Sequence, residues 1–428
     1  MTENDAFNEL AWRGLIEQTT TPDTAAILGS EKLVGYIGFD PTASSLHVGS
    51  LLQIVMLARL QLCGHKPMAL VGGATGFVGD PSGKTEERAL LSREVVETNV
   101  DGIRAQLERI LGELCERPVE VVNNYDWLGQ VSLLDFLRDT GKLFSVNAML
   151  ARDSVRTRLA EREQGISFTE FAYILLQAFD FLHMFDQFGC RLQLGGSDQY
   201  GNIVGGIDLI RRKRSAHAFG ITSPLLTTKD GRKLGKTERG TVWLDRYRTS
   251  PYQFYQYWLR VDDCDVVKLL RMLTMRGRDE IDAMDACVQN APHLREAQRA
   301  LARDLTSLVH GRDHMIDAEE AGKALFSHSI ANLSESMLLD VMSEAPSIDV
   351  VGADFEVDGV DLVDILCRAK LSKSKGAARQ DVSSGGVYVN NQRVQNVAHK
   401  LRTTDALHGR FIVLRKGKKE FFLLRLLR

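Results

Sequence analysis

The sequence predicts an α/β chain in three parts: a parallel-sheet domain, an all-α domain, and a small basic α+β unit. Three observations carry this expectation. Short apolar runs alternate with helical patterns through the first half, the segment from Ser250 to about Phe326 is helical without strands, and positive charge gathers in the last sixth. At 428 residues the chain has room for about three domains. With 44% hydrophobic and 25% charged residues it has the balance of a globular protein.

Taken in order, Leu33 to Phe39 reads as a strand, Leu46 to Leu62 as a helix and Pro67 to Val71 as a second strand. Val119 to Val122 reads as a strand and Leu133 to Leu137 as helix. Ser167 to Phe188 is a long helix opened by the capping box Ser167-Phe168-Thr169-Glu170. Arg191 to Leu194 is a further strand and Asn202 to Arg214 a helix, closing a first domain at 1–246. Ser250-Pro251 is a helix start, with a capping residue ahead of proline. A second helix is expected from His293 to His310, ended by Gly311. These place an all-α domain at 247–326. Between Ala324 and Cys367 there is no Lys or Arg while acidic residues accumulate, so 327–358 is expected as an acidic linker. The last unit, 359–428, offers a helix around Lys373 to Gln380 and strands at Gly386 to Val389 and Arg410 to Leu414.

Charge and cysteine usage narrow the function. From Val360 onward 15 Lys/Arg stand against 5 Asp/Glu, a local +10 on a chain whose net charge is -3. A basic tail on an acidic body is the footprint of a nucleic-acid contact. Six scattered cysteines form no Cys-x-x-Cys pair and no Cys/His cluster, so neither a zinc site nor a disulfide framework is expected. No basic n-region precedes an apolar stretch, and no apolar run reaches membrane length. The expectation is a cytoplasmic protein without a membrane partner and without a fixed metal site.

Two segments are built to meet phosphate. Gly38 to Ser50 joins a strand's carboxyl end to a helix, where open α/β sheets bind ligands. The free N–H groups of the helix start favour an anion. Thr42 and His47 add donors there, and Gly49 lets a ligand approach the backbone. An ordinary capped helix with a surface histidine would read the same way. Gly72 to Thr85 is glycine-rich and nearly a P-loop, but the pattern needs glycine at Val78, so a P-loop NTPase is rejected. Lys84 and Arg88 keep a phosphate role open. Leu226 to Gly240 is a basic, glycine-containing loop of the kind that moves, or simply a solvated one.

The helix after Ser167 carries Tyr173, Gln177 and Asp180 at i, i+4 and i+7, on one narrow face of an otherwise apolar segment. A wet helix face is wider and richer in Lys and Glu. The stripe therefore reads as the wall of a polar pocket.

In combination these segments resemble the class I aminoacyl-tRNA synthetases, and within them the bacterial tyrosyl subfamily. His47-Val48-Gly49-Ser50 resembles the HIGH signature, and Lys233-Leu234-Gly235-Lys236-Thr237 resembles KMSKS. Tyr36, Gly79-Asp80-Pro81-Ser82-Gly83, the Tyr173/Gln177/Asp180 stripe and Gly195-Gly196-Ser197-Asp198-Gln199 match in order and spacing. The last unit resembles an RNA-binding domain shared with a ribosomal small-subunit protein. Ser50 replaces the second histidine of HIGH, for which altered ATP affinity or rate is expected. Leu234-Gly235 replaces Met-Ser, with both lysines kept.

The resemblance implies a Rossmann-like catalytic domain that makes tyrosyl-adenylate from L-tyrosine and ATP, with Mg²⁺, and charges tRNA(Tyr). It implies that Asp80, Tyr173 and Gln177 hold the tyrosine ammonium, Tyr36 and Asp180 the phenol, and Gln199 the carboxylate side. Asp40, Gly49, Ser50, Gly196 and Asp198 would line the ATP site. Thr42, His47, Lys84, Arg88, Lys233, Lys236 and Thr237 would act on the phosphates. Lys373, Lys375 and Arg379 would grip tRNA, and a homodimer would let each tRNA span both subunits. Two alternatives remain open: a catalytically dead RNA-binding relative, suggested by Ser50, and the tryptophanyl subfamily.

Overall fold

The computed structural model describes residues 5–427 without 83–89, 152–154, 157–158, 160–165, 229–230, 232–233, 238–239, 326, 357 and 419, and without the side chains of 236, 237 and 328. It divides into two compact units: residues 1–249 with 259–309, and residues 250–258 with 310–428.

The first unit is built on a six-stranded sheet of β1 (Gln18–Thr19), β2 (Val34–Phe39), β3 (Lys66–Val71), β4 (Glu120–Asn123), β5 (Cys190–Gly196) and β6 (Phe219–Ser223). The spatial order is β1-β6-β5-β2-β3-β4. All neighbours run parallel except β1, which lies antiparallel to β6. After the edge strand β1 the chain enters the middle at β2, fills one side with β3 and β4, then crosses to β5 and β6. That reversal between β2 and β5 is the switch point where such sheets hold ligands, at the strands' carboxyl ends. The apolar runs read as strands are there because both faces are covered: Ile37, Met68, Ala69, Leu192 and Leu194 are all buried.

Helices cover the sheet. Val48–Leu62 packs from nearly all sides, which is why it is apolar around its circumference. Phe168–Phe188 starts at Ser167, whose hydroxyl accepts from the Glu170 N–H, and ends at Gly189 with φ +64°. The expected helix from His293 is broken at Arg295, which takes a left-handed φ of +51°, so the regular helix is Glu296–His310. Arg93–Leu114, which the sequence reading passed over, is a 22-residue helix burying Val96, Val100, Ile103 and Leu107.

The helical segment after Thr249 is not a separate body. Its helices 259–309 belong to the sheet unit, where Arg13 and Arg59 donate to carbonyls of Arg271, Thr274 and Arg276.

The second unit corrects the expected linker at 327–358. That stretch contains the helix Glu335–Val341 and a strand, Ser347–Val351, which pairs in parallel with the last strand, Glu420–Leu427. Its low positive charge marks a sheet edge with acidic solvent positions, not an unfolded tether. This five-stranded sheet also holds Val387–Val389, Gln392–Val394 and Phe411–Lys416. Two helices, Leu362–Arg368 and Lys375–Ser383, pack on it through Leu362, Leu366, Ala378 and Val382.

Candidate active site

Tyr36 lies in the middle of β2 and is 1% exposed, its ring edge-on to Phe181 at 5.5 Å. Its hydroxyl has no hydrogen-bond partner among the described residues. Burial raises its pKa well above the ordinary phenol value, and the negative Asp180 adds to that. Asp180 is 2% exposed on the helix Phe168–Phe188. One carboxylate oxygen accepts from Asn124 Nδ2 at 2.9 Å and the other from Trp127 Nε1 at 2.8 Å. Burial nevertheless wins over these two bonds and pushes its pKa up to about 7.

Asn124 is itself fixed at the end of β4, donating to Thr75 Oγ1 and accepting from the Ala74 N–H. Thr75 then donates to Asp40 Oδ1 at 2.9 Å, while Tyr173 donates to Asp40 Oδ2 at 3.0 Å. The polar stripe of the helix thus meets the ends of β2, β3 and β4, as a pocket wall does. Gln177, between the two, has a buried Oε1 with no partner among the described residues.

Across this pocket Asp80 is 8% exposed and receives the Ser82 N–H at 2.9 Å and Gln199 Nε2 at 2.6 Å. Gln199 is held in turn by Asn202, which donates to its Oε1. At Gly196 a Cβ would stand 2.6 Å from Asp198 Oδ1, so a side chain there would displace that carboxylate.

The phosphate end is formed by the start of Val48–Leu62. His47 caps the helix, its Nδ1 accepting from the Gly49 N–H at 3.0 Å. In the neutral ring the proton then sits on Nε2, making that nitrogen a donor. A Cβ on Gly49 would lie 2.8 Å from His47 Cε1, which explains the glycine. Ser50 occupies the first turn, its N–H bonded to the His47 carbonyl, and Thr42 follows exposed, its N–H bonded to Asp40.

The sequence-predicted residues therefore fall into three groups. Tyr36 lies within β2, Asp40, Asp80, Gly196, Asp198 and Gln199 at or beyond the strands' carboxyl ends, Tyr173, Gln177 and Asp180 on the facing helix, and Thr42, His47, Gly49 and Ser50 on the adjoining turn. Lys84, Arg88 and Lys233 lie outside the described residues, and for Lys236 and Thr237 only the backbone is described, as a short strand paired with Gly240–Thr241. Lys373, Lys375 and Arg379 are exposed on the second unit, where Lys375 pairs with Asp364 at 2.5 Å. Sequence reasoning missed Thr75, Asn124 and Trp127, which hold Asp40 and Asp180. It also missed Gln193, buried on β5 opposite Tyr36, whose Oε1 has no partner among the described residues. A glutamine between two buried leucines was the available signal.

Comparison with known proteins gives the family of the chain. The family described as tRNA synthetases class I (W and Y) matches residues 30–327, and a tyrosine–tRNA ligase C-terminal domain family matches residues 340–424. A tyrosine–tRNA ligase of Geobacillus kaustophilus is 49% identical over 98% of this chain and 99% of its own. One of Rhodopirellula baltica is 50% identical over 99% and 97%. Among solved structures, a C-terminally truncated mitochondrial tyrosyl-tRNA synthetase of Aspergillus nidulans superposes with a TM-score of 0.68 at 32% identity, covering 76% of this chain and 94% of that one.

Proposed function

The chain belongs to the tyrosyl branch of the class I aminoacyl-tRNA synthetases, and we infer from its pocket how its own residues do that family's work. It activates tyrosine with ATP to tyrosyl-adenylate and transfers the tyrosyl group to tRNA. The observation that carries the residue assignment is Asp180 anchored by Asn124 and Trp127 within electrostatic reach of the buried Tyr36 hydroxyl. A donor-acceptor pair this deep in an apolar pocket suits a phenol, which both donates and accepts.

In the first step a tyrosine carboxylate oxygen attacks the α-phosphorus of ATP. The new P–O bond forms as the bond to the bridging oxygen of the β-phosphate breaks, and pyrophosphate leaves. A carboxylate is already ionised, so no general base is required, and the residues align and stabilise. The ammonium group is held by Asp80, Tyr173 and Gln177, the carboxylate end lies by Gln199, and the phenol lies between Tyr36 and Asp180. His47 Nε2 and Thr42 donate to phosphate oxygens at the helix start, with Gly49, Ser50, Gly196, Asp40 and Asp198 around the nucleotide. Lys84, Arg88, Lys233, Lys236 and Thr237 hold the departing pyrophosphate. The tRNA 3′ hydroxyl then attacks the carbonyl carbon and AMP leaves.

Mg²⁺ enters as part of the ATP substrate. Around the phosphate turn Asp40 already accepts two hydrogen bonds, which suits ligand orientation better than a dedicated cage. The second unit, with Lys373, Lys375 and Arg379 exposed, takes the tRNA body. The chain works as a homodimer in the cytoplasm. Leu133, Leu134, Val146 and Phe168 are each more than half exposed, on elements packed together through Phe136, Met149 and Ile174. An apolar patch of this kind is what a second copy covers. No helix among the described residues is long and apolar enough to cross a membrane. The whole reading is tested by ATP–pyrophosphate exchange with each of the twenty amino acids. Tyrosine alone should stimulate it; tryptophan stimulation, or none, refutes the reading.

A further inference from the structure

The segment that follows the KMSKS-like loop is sewn onto the phosphate-binding turn. Val48 N–H bonds Val242 O, Leu244 N–H bonds Leu46 O, and Asp245 N–H bonds Ser45 Oγ. Arg248 Nη2 reaches Ser44 Oγ at 2.8 Å, and its guanidinium lies over the Trp243 ring at 4.8 Å. Trp243 in turn bridges to His47, their rings edge-on at 6.5 Å. The residues between Asp245 and Thr249 are therefore fixed beside the place where the adenylate forms.

What that segment shows to solvent is unusual. Tyr247 is 85% exposed, more than any other large hydrophobic side chain among the described residues. Two neighbours set its position. Its N–H bonds Asp245 Oδ1 at 2.7 Å, and Arg246 lies over its ring at 5.0 Å while donating to its hydroxyl at 3.0 Å. Arg246 and Arg248 are exposed on either side. Arg109, on the helix Arg93–Leu114, is within electrostatic reach of Arg246: burial lowers its pKa, Glu113 raises it and Arg246 lowers it. A tyrosine kept in water gains nothing for the fold by burial. An exposed aromatic ring whose two sequence neighbours are exposed arginines is suited to stacking an unpaired base and neutralising its phosphates.

We propose that Arg246-Tyr247-Arg248 is a landing site for the single-stranded 3′ end of tRNA, a base stacking on Tyr247 while Arg246 and Arg248 hold backbone phosphates. The inference rests on the tRNA-charging function. After adenylation the terminal hydroxyl must come to the tyrosyl carbonyl, and this platform adjoins the His47 turn at which the α-phosphate lies. The tail domain grips the body of the tRNA; the platform orders its end. Adenylation itself makes no use of it.

The test uses the full chain and Tyr247→Ala, with Tyr247→Phe as the variant that keeps the ring. Tyrosine-dependent pyrophosphate exchange should be unchanged in both. In tRNA charging, Tyr247→Ala should raise KM for tRNA about tenfold, the scale of one lost base stack, and Tyr247→Phe should restore it. Binding is then compared between intact tRNA and tRNA trimmed of its unpaired 3′ nucleotides. The unmodified chain should prefer the intact molecule, and Tyr247→Ala should bind both alike. Charging by Tyr247→Ala at unchanged KM, or an undiminished preference for the intact 3′ end, would overturn the proposal. Failure of the unmodified chain to exchange or charge would instead count against the tyrosyl-tRNA reading beneath it.

Discussion

Asp180→Asn is the most informative single change, because it preserves shape while removing charge. The two carboxylate oxygens accept from different donors, Asn124 Nδ2 and Trp127 Nε1. Asparagine offers only one oxygen, so one of these donors must face an NH₂ group. Leaving a buried donor unpaired costs about 1–3 kcal/mol of stability, measurable by denaturant unfolding. Function loses more specifically. The phenol of tyrosine would exchange a charged acceptor for a neutral one, a difference on the order of 1–2 kcal/mol, or about 10- to 30-fold in kcat/KM. Phenylalanine lacks the hydroxyl and leaves the ionised Asp180 without that partner, so its activation should hold steady or rise. A site built to bond a hydroxyl rejects the analogue lacking it, a rule for which tyrosyl-tRNA synthetases are the standard example. The assay is pyrophosphate exchange with both amino acids. A tyrosine-to-phenylalanine preference within threefold of the unmodified enzyme would show that the phenol is read elsewhere.

The same residue fixes a pH dependence. The Asp180 carboxyl titrates near 3.8 when unfolded and is pushed up to about 7 by burial in the fold. Its proton is held more tightly in the folded chain, so its contribution to stability is complete below about pH 4 and is lost as pH rises through 7. Over about three pH units that is on the order of 4 kcal/mol, and Asp180→Asn should flatten it. Activity runs the opposite way, since the ionised carboxylate is the phenol's acceptor. The kcat/KM for tyrosine should fall as pH drops below about 7, and this limb should be missing in Asp180→Asn.

Three further outcomes are expected. Lys233→Ala or Lys236→Ala should slow exchange about 100-fold, the scale of a lost transition-state donor, with equilibrium tyrosine binding within threefold; an equal fall in affinity would make them pocket residues. A chain ending at Asp358 should aggregate in expression trials, because Ser347–Val351 loses its partner Glu420–Leu427 and Ile330, Leu338 and Met342 lose their cover. One ending at Ala324 should stay soluble, keep exchange and charge tRNA at least about tenfold more poorly by loss of the basic sheet. Leu134→Asp should turn the proposed dimer monomeric in sedimentation at micromolar protein, and an unchanged dimer mass would place the contact elsewhere.

The catalytic half was legible in the sequence wherever one residue's chemistry was local. Apolar runs marked β2, β3 and β5 because both sheet faces are covered. The stripe of Tyr173, Gln177 and Asp180 marked a pocket because polar residues in an apolar helix need partners. What stayed hidden depended on pairing between distant segments. Asn124 and Trp127 look like ordinary loop residues until β4 sets them against Asp180. The acidic stretch before Val360 read as a tether because composition cannot show that Ser347–Val351 finds its hydrogen bonds 76 residues later, at Leu423. Arg93–Leu114 is a different case. Its buried positions Val96, Val100, Ile103 and Leu107 repeat at helical spacing, so that signal lay in the sequence itself.

The two departures from the family signatures meet in space. Gly235, standing for the serine of KMSKS, has φ +84°, and a Cβ there would lie 2.2 Å from Val48 Cγ2. Val48 is the first residue of the helix whose third is Ser50, which stands for the second histidine of HIGH. Gly235 also accepts from the Val242 N–H, while the Val242 carbonyl accepts from Val48 N–H. The bare backbone of the loop therefore seats directly against the helix start. Any side chain at 235 would have to displace Val48 and hold an unfavourable φ, costing on the order of 1–2 kcal/mol in backbone strain alone. Glycine makes the close seating possible, and that seating carries the backbone of Lys236 up to the same helix end that His47 caps. The backbone of Lys236 is thus brought to the phosphate turn, which is why the effect of this lysine is expected in the rate of pyrophosphate departure and not in the holding of tyrosine.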